Sequence, residues 1–266
     1  IQYPTHWGLQ QALVGHHPDL GDGPVQLAQK LKYSENGIWH TALELASGFP
    51  LQYRYVLLDD NSNILDEEWG DMRTLAGAKT GTKNLMIYDS WRAKEAPENA
   101  LYNAAFTSVI FNPSSSKRKA KVVPAGGKLQ YSIRAVAIPK GLQVCILGND
   151  PSLGNWDYSK PLLLNSANFP VWTGQAARPQ THQVEYKYGL YDPTAKRVVR
   201  LEQGKNRELI LGKIEQSGTA TLVADEYLKL SKEPWKGAGL AIPVFSLRSQ
   251  SGFGVGEFND LKALAD

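Results

Sequence analysis

The sequence holds one cysteine, Cys145, among its 266 residues. No internal disulfide can form, so the fold must be held by its cores, and a reducing compartment, the cytoplasm, is the expected location. Cys145 lies in the apolar run VCIL, the setting of a buried, unreactive thiol. No apolar run approaches the ~20 residues that cross a bilayer, so no membrane partner is expected. The opening IQYPTHWGLQQ has no basic stretch followed by an apolar one, so no signal peptide is read; a start at Ile1 rather than Met suggests a trimmed chain. Neither sign of charge is in large excess. A net charge of +3 is too small to argue for nucleic acid. The basic cluster Lys117, Arg118, Lys119 and Lys121 follows three serines and reads as a solvated linker. The histidines lack ligand spacing, His16 and His17 being adjacent in a turn, and no metal or cofactor is expected. GFGVGE at 252–257 is not the dinucleotide fingerprint, and GAKTGTK at 77–83 lacks P-loop spacing. No Ser-His-Asp set, Cys-His set or acid pair can be nominated, so no catalytic residue is assigned.

What is present is a repeat. Gly15, Pro18, Leu20 and Gly21 match Gly148, Pro151, Leu153 and Gly154 in one register. The same offset carries Trp39 onto Trp172 and Tyr53-Arg54-Tyr55 onto Tyr186-Lys187-Tyr188. One residue of slippage then aligns Glu68 and Arg73 with Glu202 and Arg207. Two copies of one domain are read. Each reads as all-β: Leu129, Tyr131, Ile133, Ala135 and Ala137 alternate with mostly polar neighbours, and short apolar runs punctuated by Gly, Pro, Asn and Asp follow. Seven or eight short strands in about 100 residues predict an immunoglobulin-like sandwich or an open barrel.

The expected organisation is a first copy at 1–92, a linker at 93–127, a second copy at 128–228 and a different segment at 229–266. Leu101–Phe111 is apolar enough to pack on a neighbour. In the last segment an apolar run, Leu240–Leu247, a Gly-rich loop and a helical pattern at Phe258, Leu261 and Leu264–Ala265 predict strand, loop and helix. That is the opening βα unit of a parallel α/β domain, with the rest expected beyond Asp266.

Two motifs carry chemistry. In EYKY at 185–188, Val184, Tyr186 and Tyr188 share one strand face while Glu185 and Lys187 share the other. The outward cation is either ordinary exterior polarity or a donor to ligand hydroxyls. Trp156 stands on a turn between Asn155 and Asp157. It is either a partly buried turn aromatic or a platform on which the C–H face of a sugar ring can rest. Trp39 and Trp172, flanked by apolar residues, read as core.

With LGNW at 153–156, PVW at 170–172, EYKY at 185–188 and EQGKNR at 202–207, the second copy resembles family 20 of the carbohydrate-binding modules, the starch-binding modules. The first copy is similar more loosely. The tail PWKGAGLAIPVFSLRSQSGFGVGEFNDL resembles the start of the amylomaltase barrel, glycoside hydrolase family 77. Two such modules ahead of that barrel resemble the layout of disproportionating 4-α-glucanotransferases.

The resemblance implies an α-glucan polymer or maltooligosaccharide as partner, and a parent enzyme that moves α-1,4-glucosyl units from maltose or maltodextrin to a glucan acceptor by a retaining mechanism. The family's carboxylates lie on later barrel strands, so this chain alone is expected to be inactive. The glucan-binding residues it implies in the second copy are Trp156, Lys187, Glu202 and Asn206. The family's second tryptophan position reads Leu201, a half-built platform, and Gly141 stands near the other family site. In the first copy the tryptophan position reads Gly23, the cation is Arg54, and Glu67 precedes Glu68. Trp69 is a substitute platform, and Trp7 an exposed candidate near the family's second site. The rival reading is structural: modules that have lost sugar binding and serve as spacers or oligomerisation surfaces. Assembly of the parent enzyme into homo-oligomers stays open.

Overall fold

Period-two alternation builds both copies from strands. The computed structural model describes residues 1–16, 20, 28–34, 37–44, 51–75, 84–111, 127–211, 219–230, 243–249, 256–257 and 260–261. The first copy contributes β1 (Gln10–Gly15), β2 (Gln29–Lys30), β3 (Lys32–Ser34), β4 (Ile38–His40), β5 (Leu51–Leu58), β6 (Ile64–Glu67), β7 (Arg73–Leu75) and β8 (Asn84–Asp89). The second contributes β9 (Lys128–Arg134), β10 (Gln143–Gly148), β11 (Leu162–Leu163), β12 (Asn165–Asn168), β13 (Val171–Ala177), β14 (Gln183–Asp192), β15 (Arg197–Leu201), β16 (Arg207–Ile210) and β17 (Thr219–Tyr227).

The repeat is visible in the topology. One sheet runs β2-β1-β5-β6 with β7 also on β5; another runs β11-β10-β14-β15 with β16 also on β14. The repeated glycine has a steric cause. It pairs with the first tyrosine of the Tyr-x-Tyr motif, Gly15 with Tyr53 and Gly148 with Tyr186. A Cβ there would lie 2.2 Å from the Gln52 carbonyl in one copy and 2.7 Å from the Glu185 carbonyl in the other. The inner faces meet in two cores, one including Leu129, Tyr131, Ile133, Tyr186 and Tyr188, the other Leu13, Trp39, Tyr53 and Tyr55. Trp39 and Trp172 are both buried, and the Trp172 indole N–H donates to the Ala135 carbonyl at 3.0 Å.

A feature not read from the sequence joins the copies. The remaining large sheet runs β12-β13-β9-β17-β8, so the last strand of the first copy lies in a sheet of the second. β8 pairs in parallel with β17 from Asn84↔Thr219 to Asp89↔Ala224. Beyond it, Ser90 donates to the Ala224 carbonyl from its backbone N–H (3.1 Å) and its hydroxyl (3.2 Å). Gln2 bridges to Ser90 and Ile38, continuing the pairing toward β4. Residues 1–232 accordingly form one compact unit, and 233–266 a second.

Of the expected linker, Ala93 packs on the first copy's core and Lys94 pairs with Asp66 at 3.0 Å, while Asn99 and Tyr102 pack on the second copy. Pro97–Tyr102 is a 3-10 helix and Ala105–Ile110 a π-helix. The Tyr102 ring lies 4.9 Å from that of Tyr227, whose hydroxyl donates to Asn99 Oδ1, and the Arg134 guanidinium lies over Tyr102. The basic cluster at Lys117–Lys121 falls outside the described residues. In the tail, the expected strand Leu240–Leu247 is corrected where it is described: Val244–Ser246 is a single 3-10 turn following Pro243 at φ −59°. Pro243 has no N–H to give a ladder, and no partner strand is present there among the described residues. Asp260 and Leu261 are helical, while most of the expected helix lies outside the described residues.

The repeated Tyr-x-Tyr, Glu and Arg residues build one buried polar network per copy. In the second, Arg207 Nε and one terminal nitrogen donate to the two Glu202 oxygens at 2.8 and 2.9 Å. Its other terminal nitrogen reaches Asp225 on β17 at 3.1 Å, and the Tyr186 and Tyr188 hydroxyls donate to the same carboxylate at 2.9 and 2.8 Å. In the first, Arg73 bridges Glu68 and Asp89, and Tyr53 and Tyr55 donate to Asp89 at 2.7 and 3.1 Å. Burial in these networks pushes all four tyrosine hydroxyls well above their ordinary pKa, with the neighbouring aspartate adding to the shift. Arginine and the two tyrosines thus tie one sheet to an aspartate of the other, while the glutamate holds the arginine from its own sheet.

The first copy carries a flaw in its core. Gln11 is fully buried on β1, and neither amide atom has a hydrogen-bond partner. The repeat places Val144 at the equivalent core position of the second copy. An orphaned buried polar group costs about 1–3 kcal/mol. Gln11→Val is therefore expected to stabilise the protein by about that amount, read as a higher urea midpoint at unchanged slope.

Candidate functional site

The second copy presents its outer face on the β11-β10-β14-β15 sheet. Side chains that point away from the sandwich core gather there: Cys145 and Leu147 from β10 and Val198 from β15, with Trp156, Tyr191 and Leu201 packed against them. The cluster explains the buried thiol. Desolvation pushes Cys145 up to about 12, leaving it unreactive at neutral pH.

Trp156 reaches this face through a turn with three successive left-handed residues, Gly154 (φ 82°), Asn155 (φ 49°) and Trp156 (φ 59°). Glycine is required first, since a Cβ on Gly154 would sit 2.1 Å from the Lys160 carbonyl. A bulky residue in that region costs roughly 1–2 kcal/mol, so the turn must be held by its surroundings. The Trp156 N–H donates to the Gly148 carbonyl and the Asp157 N–H to that of Gly154, both at 2.8 Å. Asn149 is fastened to Glu185 on β14 by reciprocal bonds of 3.0 Å, and Asp150 accepts from the Ser152 and Gln180 N–H groups. Hydrogen bonds from the Ser159 hydroxyl and N–H hold the Asp157 carboxyl below the usual carboxylate range. The indole is half-buried. It lies against the outside of the sheet, with one part on the apolar cluster, and not between the sheets.

Lys187 extends from the same face, its Cα opposite Leu147. Its ammonium donates to the Gly204 carbonyl at 2.8 Å and toward that of Glu202 at 3.4 Å, which draws it to the β15–β16 turn. In that turn the exposed Asn206 donates to Glu185 Oε2 at 2.7 Å. The structure therefore brings Trp156, Lys187 and Asn206 to one outer face, with Glu185 added as a carboxylate acceptor. Glu202 is corrected. It is only 4% exposed, and its carboxylate is taken by Arg207 and by the Tyr188 N–H at 3.0 Å, so it clamps the fold and faces no ligand.

On the first copy's matching face the cation is paired. Arg54 donates to Glu67 at 2.9 Å and to the Gly70 carbonyl at 2.6 Å, so the residue at the second-tryptophan position neutralises the cation. Trp69 is half-buried, with its backbone N–H on the Arg92 carbonyl. Gly23 lies outside the described residues. Trp7 stands apart from this set, on a turn before β1, and is fully exposed at 104%. Sequence reasoning missed Tyr33. It is 58% exposed on β3, and its ring meets that of Trp39 edge-on at 5.2 Å. The available signal was an aromatic standing opposite a core tryptophan in a short hairpin.

The starch binding domain profile matches residues 1–85 and 128–221. The chain is 33% identical, over 282 aligned positions, to a 4-alpha-glucanotransferase DPE2 of Oryza sativa subsp. japonica. The alignment covers all of this chain and 29% of that relative, so the chain spans under a third of the relative's length. Among solved structures, similarity extends to the family 20 module of a maltotetraose-forming amylase from Pseudomonas saccharophila (21% identity, 36% of this chain and 98% of that one, TM-score 0.30). A family 15 glucoamylase from Hypocrea jecorina is also similar (21% identity, 45% of this chain and 22% of that one, TM-score 0.34). With the profile matched twice, once within each copy, the chain belongs to the starch binding domain family.

Proposed function

We propose that this chain is the α-glucan-binding region of a 4-α-glucanotransferase, and that its working surface is the outer face of the second module. The observation that carries the proposal is the joint placement of an indole, an ammonium and an Asn–Glu pair on one outer face. Sugars compete poorly with water for hydrogen bonds alone, because each bond gained replaces one lost. An indole resting against a rigid sheet adds what is missing, apolar contact with the C–H face of a glucose ring. Lys187 supplies donors, Glu185 acceptors and Asn206 both, which suits the mixed chemistry of glucose hydroxyls.

The parent protein is proposed to be an amylomaltase-type enzyme of the cytoplasm that moves glucosyl units between maltodextrins and a starch- or glycogen-like acceptor. The glucanotransferase relative supports this, and the lack of disulfide chemistry fits the compartment. Trp7 is proposed as a weaker contact in the first module, so that a long glucan can meet both modules. The rival, purely structural role is favoured by one observation, the Arg54–Glu67 pair, and that observation concerns the first module's face alone.

In affinity electrophoresis the chain is expected to be retarded on glycogen. Trp156→Ala with Lys187→Ala should weaken binding about ten- to thirtyfold, a typical loss for truncating a central tryptophan contact. Equal mobility with and without glycogen for the unaltered chain would reject the proposal.

A further inference from the structure

Leu201 leaves the second module's platform short of one aromatic, and the Trp156 loop itself offers a replacement. We infer that Tyr158 supplies the second stacking surface, for the glucose unit next to the one over Trp156; the inference rests on the α-glucan reading above. Leu201 is partly buried against the Cys145–Leu147–Val198 cluster and presents a branched aliphatic group where a flat ring would be useful. Tyr158 stands two residues beyond Trp156 and is 49% exposed.

Its position is fixed by backbone and not by its ring. The Val198 N–H donates to the Tyr158 carbonyl at 2.8 Å, tying the loop to β15, two strands from the β10 end where the loop begins. The Val198 side chain belongs to the cluster on which Trp156 packs, so both aromatics are anchored to one small area. Between them Asp157 accepts from Ser159 N–H and hydroxyl at 2.9 and 2.7 Å and pairs with Lys160 at 3.4 Å, which braces the segment. Among the described residues the phenol ring makes no hydrogen bond or ring contact that the fold depends on. A half-exposed aromatic on a braced loop keeps apolar area in water without a structural return. With two side-chain torsions it also loses little entropy when a ligand covers it.

The test is calorimetric titration of the full chain with maltoheptaose. Tyr158→Ala is expected to weaken binding about three- to tenfold, Tyr158→Phe to stay within twofold, and Trp156→Ala to lose most binding. Adding Leu201→Trp to Tyr158→Ala should restore affinity, because an aromatic then returns to the platform from β15. Loss of binding in Trp156→Ala with Tyr158→Ala unchanged would overturn this inference while leaving the α-glucan reading intact. Failure of the unaltered chain to bind would overturn both. Weakening by Tyr158→Ala accompanied by a lowered thermal midpoint, and not relieved by Leu201→Trp, would give Tyr158 a structural role and likewise overturn it.

Discussion

Arg207→Met is expected to lower the unfolding free energy by about 3–5 kcal/mol, the usual cost of removing one partner from a buried ionic network. Methionine keeps much of the volume, so the loss is electrostatic. It strands two carboxylates, Glu202 with 3% and Asp225 with 10% of their side chains exposed, which Arg207 now bridges. It also removes the donor to the Tyr227 carbonyl (3.0 Å) and the guanidinium 5.2 Å from the Tyr188 ring. Burial alone would make the guanidinium easier to deprotonate, but Asp225 and Glu202 outweigh it and hold the group firmly charged. Urea denaturation followed by tryptophan fluorescence checks the effect. Arg207→Lys should recover only part of the loss, because a point charge cannot donate side by side to Glu202 while also reaching Asp225. A midpoint unmoved by Arg207→Met would show that the network contributes nothing net to stability.

This network also marks where sequence reading succeeded and where it stopped. The alternation in Val184–Tyr188 was enough to place the tyrosines inward and Lys187 outward, and the repeat aligned Glu202 and Arg207 with Glu68 and Arg73 without showing that each pair is bonded. The function assigned to Glu202 was wrong for a physical reason. Its charge is neutralised from the following strand β16, and the network is closed by Asp225 on β17, a residue that belongs to no local motif. Trp156 was left between a packed turn aromatic and an open platform, and the structure gives part of each: apolar packing on one side, outside the sandwich. The pairing of Arg54 with Glu67 depends on the β5–β6 register, which places Glu67 opposite Val56, next but one along β5 from Arg54. Such cross-strand geometry is set by hairpin pairing and has no signature in composition. The parallel seam between β8 and β17 was hidden for a similar reason, because edge pairing uses backbone groups that every residue carries.

The seam leads to the other large expected effect. A chain cut to residues 128–230 is expected to self-associate. In the intact protein β8 covers β17 through six consecutive paired positions, from Thr219 to Ala224. That stretch reads TATLVA, without charge, proline or glycine, and so lacks the devices that natural edge strands use to refuse further pairing. Removal of the first module would leave its backbone donors and acceptors facing water as a flat template. The second module would lose Tyr88 and the Tyr102–Tyr227 contact but keep most of its core, since β9 still pairs with the other side of β17 and the Glu202–Arg207–Asp225 network lies wholly within it. The expected product is therefore folded but dimeric or larger by sedimentation velocity, and more associated at higher concentration. Leu222→Lys tests the route, because Leu222 stands opposite Ile87 in the seam and a charge there discourages edge-to-edge pairing. It should return the cut chain to a monomer. A monomeric 128–230 chain without that substitution would mean that β17 does not depend on β8 for cover.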